Sequence, residues 1–146
     1  MQNNQIDSFF GKYQFLSNFW PVPKGIYFEG HTYPTVEHAY QAAKTLDESE
    51  REQIRTQKSP GKAKGMGSRL TLREDWNDVR LDVMERLVYM KAKDPDFSQL
   101  LRNTGDAKLI EGNTRGDRFW GVCDGIGENH LGRILMEVRS ALNGGM

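Results

Sequence analysis

One cysteine in 146 residues, Cys123, excludes a disulfide framework and a cysteine-rich metal site. Close to Trp120, Gly121 and Val122, it reads as a small buried apolar group rather than a nucleophile. The three histidines, His31, His38 and His130, are scattered and show no His-Glu-x-x-His spacing, so no metal is expected. A Gly-x-Ser-x-Gly elbow is missing, as is the Gly-x-x-x-x-Gly-Lys-Ser/Thr phosphate loop. No apolar run approaches the length of a membrane span. The opening residues, Met1 to Asp7, have neither a basic nor an apolar leader region, so a cytoplasmic protein without membrane contact is expected. Net charge is missing too, with Lys+Arg and Asp+Glu both at 20. That balance argues against coating nucleic acid or a membrane through global charge.

What is present suits a single α+β domain, 1–146, mainly helical with a small β element and a core from about 10 to 142. Hydrophobic residues make up 37% and aromatics 10%, enough for one core at this length. Ile26 to Glu29, Gly30-His31 and Thr32-Tyr33 read as a small hairpin. Thr35 is the expected N-cap of the first helix, Asp47 to Lys58 a largely exposed second one. Ser59-Pro60 is a cap followed by proline at the first helical position, opening a short helix through Lys64. Val79, Val83, Met84, Leu87, Val88 and Met90 keep a helical period between Asp75 and about Lys93. A short helix over Asp96 to Arg102 and an edge strand over Lys108 to Glu111 follow. After a glycine-rich loop, a last helix carries Leu131, Ile134, Leu135, Val138 and Leu142, with Asn129 as its N-cap.

The most informative stretch is Thr35 to Lys44. Helical spacing puts Val36, Ala39, Ala43 and Leu46 on one face and Glu37, Tyr40, Gln41 and Lys44 on the other. Ion pairs on a helix surface are three or four residues apart. Glu37 and Lys44 are seven apart, roughly 10 Å along the axis. An acid and an amine at that separation, with Tyr40 and Gln41 between them, look like two ends of a small-molecule site.

Three further clusters accompany it. Phe15 to Pro21 sets aromatic residues, Phe19 among them, around Ser17 and Asn18, a rigid turn that either presents polar groups to a ligand or anchors an Asx turn. Ser59 to Arg69 combines a capped helix start with Lys62, Lys64 and Arg69, a phosphate-friendly arrangement. It lies within a segment, Arg51 to Arg73, that holds seven basic residues and one acid, Glu52; a solvated helix face accounts for that equally well. The loop from Gly112 to Gly132 holds six glycines, with Asp117 and Trp120 placed to offer a carboxylate and a stacking face. A tight structural loop pinned by Trp120 is the alternative.

Taken in order, these motifs resemble the NADAR family, whose members include riboflavin-intermediate N-glycosidases. The likeness is carried by Phe15 to Phe19, Tyr33 to Lys44, Ser59-Pro60, Ala63-Lys64, Trp76, Arg80, Val83-Met84 and Leu109 to Glu111. It continues through Asp117, Phe119 to Gly121, Gly125, Gly127 to Asn129, Leu131-Gly132 and Leu135-Met136, so it runs from about Phe10 to Leu142. The resemblance implies a hydrolase that cleaves the bond between a base-like nitrogen and C1 of a phosphorylated ribose. The implied substrate is a ribose-phosphate or ADP-ribose conjugate. It is either a phosphoribosylamino-pyrimidine of the riboflavin pathway or ADP-ribosylated guanine in DNA or RNA, and no cofactor is implied. The family lysine corresponds to Lys44 and is expected to form a Schiff base with the ring-opened sugar, which asks for a neutral amine. Glu37 is implied in proton transfer or in holding the ribose hydroxyls. Direct water attack, with Glu37 or Asp117 stabilising an oxocarbenium-like state, stays open.

The substrate contacts implied are Ser17, Asn18, Phe19, Tyr40, Gln41, Ser59, Lys64, Arg69, Trp76, Trp120, Gly121 and Asn129. Family members often carry an arginine directly after the glycine matched by Gly67; here Ser68 intervenes before Arg69. Two other function classes compete. A non-catalytic NAD- or ADP-ribose-binding module would bind without turnover. A nucleic-acid adaptor using the Arg51–Arg73 segment would bind with strong salt dependence.

Overall fold

The computed structural model describes residues 4–144, so the first three residues of the Met1 to Asp7 opening lie outside it. The chain is α+β and mainly helical. Its contacts divide it into two compact units, Asn18–Asp94 and Met1–Ser17 with Pro95–Met146.

The Asn18–Asp94 unit begins with the expected hairpin. Strands β2 (Ile26–Phe28) and β3 (His31–Tyr33) pair antiparallel, with Tyr27 opposite Thr32. Ile26, Phe28 and Tyr33 are buried while Tyr27 is exposed, the alternation of a half-covered sheet. Helix α1 (Val36–Ala43) follows, capped by the Thr35 hydroxyl, which accepts the His38 backbone N–H at 3.1 Å. Such a cap is worth about 1 kcal/mol. The cap is itself anchored. His38 Nε2 must donate to the Gln57 carbonyl at 3.0 Å, so Nδ1 accepts the Thr35 O–H at 2.8 Å.

Eight residues are too few for a helix to persist alone, and α1 is held by packing against α2 (Glu48–Arg55), α3 (Pro60–Gly67) and α4 (Trp76–Lys91). Three alanines, Ala39, Ala42 and Ala43, are fully buried and let its neighbours approach closely. Here the sequence expectation needs correcting. All eight α1 residues are buried, polar ones included, and Leu46 is not on the helix but beyond it, 65% exposed. The helix instead closes at Lys44, whose carbonyl accepts the Arg73 N–H at 2.7 Å. Helix α2 is shorter than expected and buries Arg51 and Ile54; α3 runs three residues beyond Lys64.

In the other unit, strand β1 (Gln5–Ile6) pairs in parallel with β4 (Lys108–Leu109), Ile6 opposite Leu109. The expected strand is thus two residues rather than four. A 3-10 helix (Gly11–Leu16) lays Phe15 edge-on against Phe97 of α5 (Pro95–Asn103), ring centroids 6.4 Å apart. Helix α6 (His130–Gly144) buries Leu131, Ile134, Leu135 and Val138, four of the five positions its periodicity predicted, while Leu142 near its end is only half-buried. Cys123 is buried, as its apolar surroundings suggested.

Candidate active site

The polar stripe of α1 is the centre of the Asn18–Asp94 site. Glu37 is 8% exposed and Gln41 3%, on successive turns, and Gln41 Nε2 donates to Glu37 Oε2 at 2.6 Å. The Glu37 backbone N–H donates to the Asn18 carbonyl at 3.0 Å, while Asn18 Nδ2 lies 3.6 Å from Met84 Sδ. The Phe15–Pro21 turn therefore places Asn18 at the start of α1. Phe19, 41% exposed, lies beside the first turn of α3, where a Cβ on Gly61 would stand 4.0 Å from its ring.

Two turns on, Lys44 caps the helix and is half-buried. Its Nζ lies 5.5 Å from the centroid of the buried Tyr40 ring, and Tyr40 tilts against Trp76 at 5.2 Å. Burial pulls the Lys44 ammonium below its usual range; the Glu37 charge pushes it back up, and the Lys64 charge lowers it further. The net direction favours a neutral amine, the form that attacks carbon.

The backbone under Lys44 is fixed by Arg73. Its guanidinium donates to the Ala43 carbonyl at 3.4 Å and binds Asp75 through two contacts, at 2.6 and 3.1 Å. A cation at a helix C-terminus complements the dipole there. In the sequence Arg73 only closes the basic Arg51–Arg73 segment, and the signal for this clamp is an arginine two residues before an aspartate.

Helix α3 supplies the cationic side. Ser59 Oγ caps it by accepting the Lys62 N–H at 3.1 Å. Lys58, Lys62, Lys64 and Arg69 are exposed and form no ion pair among the described residues. The rest of the basic segment is neutralised: Arg51 by Glu29 at 3.0 Å, Arg55 by Glu52 at 2.5 Å, Arg73 by Asp75.

The expected residues of the other unit are committed to structure. Asp117 Oδ1 accepts the backbone N–H groups of Phe119 and Trp120 at 3.1 and 2.9 Å, and Oδ2 takes Arg115 at 3.3 Å. Trp120 packs edge-on against Phe119 at 4.8 Å. Gly121 has no room for a side chain, since a Cβ would stand 2.0 Å from the Glu111 carbonyl oxygen. Asn129 occupies the N-cap position of α6, its carbonyl accepting the Arg133 N–H. Its side chain does not cap that helix. It accepts the Glu111 N–H and donates to the Leu109 carbonyl, both at 2.9 Å, fastening the helix start to β4. A cleft of about 1000 Å³ lies alongside, lined by Phe10, Ile110, Asn113, Asn129 and Arg133 among others. Ser17 ends the 3-10 helix, its N–H donating to the Gln14 carbonyl at 3.0 Å. Among the described residues no three His, Cys, Asp or Glu side chains gather where they could hold a metal, and no helix is long and apolar enough to cross a membrane.

The NADAR domain model matches residues 7–143. N-glycosidase YbiA of Escherichia coli is 41% identical over 133 residues, covering 87% of this chain and 80% of that protein. Riboflavin biosynthesis protein VVA0006 of Vibrio vulnificus is 37% identical over 132 residues, 88% of this chain but 35% of that longer protein. The solution structure of E. coli YbiA superposes with a TM-score of 0.82 at 39% identity, over 98% of this chain and 87% of that one. Matches of this extent, in sequence and in fold, make the chain a member of the NADAR domain family.

Proposed function

We propose that the chain is an N-glycosidase that hydrolyses the bond between a base-like nitrogen and C1 of a phosphorylated ribose, with Lys44 as nucleophile. The observation that carries this reading is the half-buried Lys44 amine, held below its usual protonation range on the Tyr40 ring, two turns from the buried Glu37 carboxylate. The names of the relatives, N-glycosidase and riboflavin biosynthesis protein, support the reaction class.

The chemistry runs in two balanced halves. The glycosylamine ring opens to an imine between C1 and the base nitrogen, and neutral Lys44 Nζ adds to C1. Two protons move from Nζ to the base nitrogen, one on addition and one as the C1–N bond breaks, and the free amine leaves with C1 bound to Lys44 as a neutral Schiff base. Water then adds to C1, the Nζ–C1 bond breaks, and ribose phosphate and free Lys44 are released. Glu37 takes each proton from Nζ in turn and passes it to the leaving nitrogen. Gln41 contacts Glu37, while Tyr40 and Trp76 wall the amine. Ser59, Lys64 and Arg69 supply the N–H groups and charges for the phosphate, and Ser17, Asn18 and Phe19 border the sugar. In the other unit, Asp117 acts through its turn rather than as the reacting carboxylate, and Trp120, Gly121 and Asn129 hold the loop around it.

The test is a release assay on a phosphoribosylamino-pyrimidine, an ADP-ribosylated guanine oligonucleotide and NAD, read by mass spectrometry, with borohydride added to parallel samples. Release of a free base from one of them, with a borohydride-dependent mass increase on the peptide containing Lys44, is expected. Base release without any trapped adduct, undiminished in Lys44→Ala, would sink the nucleophile assignment.

A further inference from the structure

We infer that Gly67 is a positioning residue for this reaction: its missing side chain seats the Gln41 amide against Glu37 and so fixes the carboxylate that serves Lys44. This rests on the roles given to Glu37 and Lys44 above.

Gly67 is the buried last residue of α3 and has an ordinary negative φ, so its backbone does not call for glycine. The space around it does. A Cβ there would fall 1.9 Å from Gln41 Oε1, 2.7 Å from Cδ and 3.4 Å from Cγ. All three atoms belong to the far half of one side chain, and no backbone atom is in the way. An alanine at 67 therefore displaces Gln41 and leaves the packing of α3 on α1 in place.

The two ends of the Gln41 amide have unequal surroundings. Nε2 donates to Glu37 Oε2 at 2.6 Å, whereas Oε1 is buried with no hydrogen-bond partner. An orphaned buried acceptor is destabilising, and rotating the amide is not a remedy, because it would set the Gln41 oxygen against a carboxylate oxygen at the same separation. The carboxylate dictates the amide's orientation, and only a glycine at 67 leaves room for the oxygen that must then point at α3. An alanine at 41 would fill the helix interface without this cost. What the glutamine adds is a donor, one turn along the same helix face, to a buried carboxylate.

The test is a double-mutant cycle on the full chain with the substrate found above, combined with hydrogen exchange of the Gln41 side-chain amide by NMR. Gly67→Ala is expected to lower kcat about a hundredfold while KM stays within about threefold, the pattern of a misplaced catalytic group. Gln41→Ala should lose the same amount, and Gly67→Ala/Gln41→Ala no more, because alanine at 41 lacks the atoms that collide. Losses that multiply in the double variant, or a Gly67→Ala enzyme within about twofold of the native kcat, would overturn the inference. The exchange measurement works without turnover. The Gln41 NH2 protons should be protected in the native protein and exposed both in Gly67→Ala and in Glu37→Gln; unchanged protection in Gly67→Ala overturns the seating of Gln41. An inactive native protein would refute the proposed activity alone, with the exchange result still deciding the role of Gly67.

Discussion

Lys44 and Asp117 are both half-buried ionisable groups, and the chain around them treats them in opposite ways. Asp117 has each carboxylate oxygen occupied, Oδ1 by two backbone N–H groups and Oδ2 by Arg115. Around Lys44 the satisfied groups belong to the backbone, its carbonyl bound by Arg73, while the ammonium meets an aromatic ring and two competing charges. A group whose bonds are all made is fixed and unreactive, and it stabilises its loop. A group left with an unfavourable charge is available for chemistry and contributes little to the fold. On the proposed reading the difference separates catalytic from architectural polarity within one chain, and substitution of each side tests it.

The largest effect is expected at Lys44. Lys44→Ala should lower kcat by at least about a thousandfold, as loss of a nucleophile does, while the urea midpoint moves little or rises. A destabilised variant with proportionate activity loss would move Lys44 to the architectural side. Gly121→Ala should show the reverse. The new methyl would collide with the Glu111 backbone and carboxylate, which cannot both yield, so a stability loss of more than about 2 kcal/mol is expected in urea unfolding. Asp117→Ala comes next, losing about 1–2 kcal/mol with its turn bonds and less than about tenfold in kcat when assayed well below its melting temperature. A folded Asp117→Ala protein as inactive as Lys44→Ala would return Asp117 to the catalytic set.

The sequence made one side of this comparison far more legible than the other. Thr35 as cap, the hairpin before it, the Ser59-Pro60 helix start and the apolar period of α4 are local signals, and each produced the expected element. The 3-10 helix Gly11–Leu16 has no periodicity to betray it, and the β1–β4 pair joins two-residue strands a hundred positions apart. Neither leaves a trace in a window of ten residues. The unusual spacing of Glu37 and Lys44 marked the site, but that the whole of α1 is buried could not be read from its own amphipathic pattern. Burial of the polar face depends on α2, α3 and α4 converging on it. Asn129 illustrates the same limit. Its type and position fit an N-cap, yet its side chain is drawn away by two backbone groups near β4 whose approach only the tertiary fold determines.

The smallest expected effect is also the most direct probe of how Lys44 is kept reactive. Its protonation is set by burial, opposed by Glu37 and assisted by Lys64. If the neutral amine attacks, kcat/KM rises with pH as Lys44 loses its proton, along an acid limb whose midpoint is the Lys44 pKa in the free enzyme. Removing the Lys64 charge in Lys64→Met takes away a repulsion on the ammonium, so the Lys44 pKa rises and the limb moves to higher pH. Removing the Glu37 charge in Glu37→Gln takes away an attraction, so the limb of its residual activity moves to lower pH. The two shifts must have opposite signs. Because Lys64 is exposed, its shift should shrink as salt is raised to about 1 M, where charges are screened within roughly 3 Å, whereas the shift from the buried Glu37 should persist. A limb that stays put in both variants would mean that the titrating group is not Lys44. Equal salt sensitivity of the two shifts would mean that Glu37 acts on the amine through solvent, and the contrast with the fully bonded Asp117 would lose its physical basis.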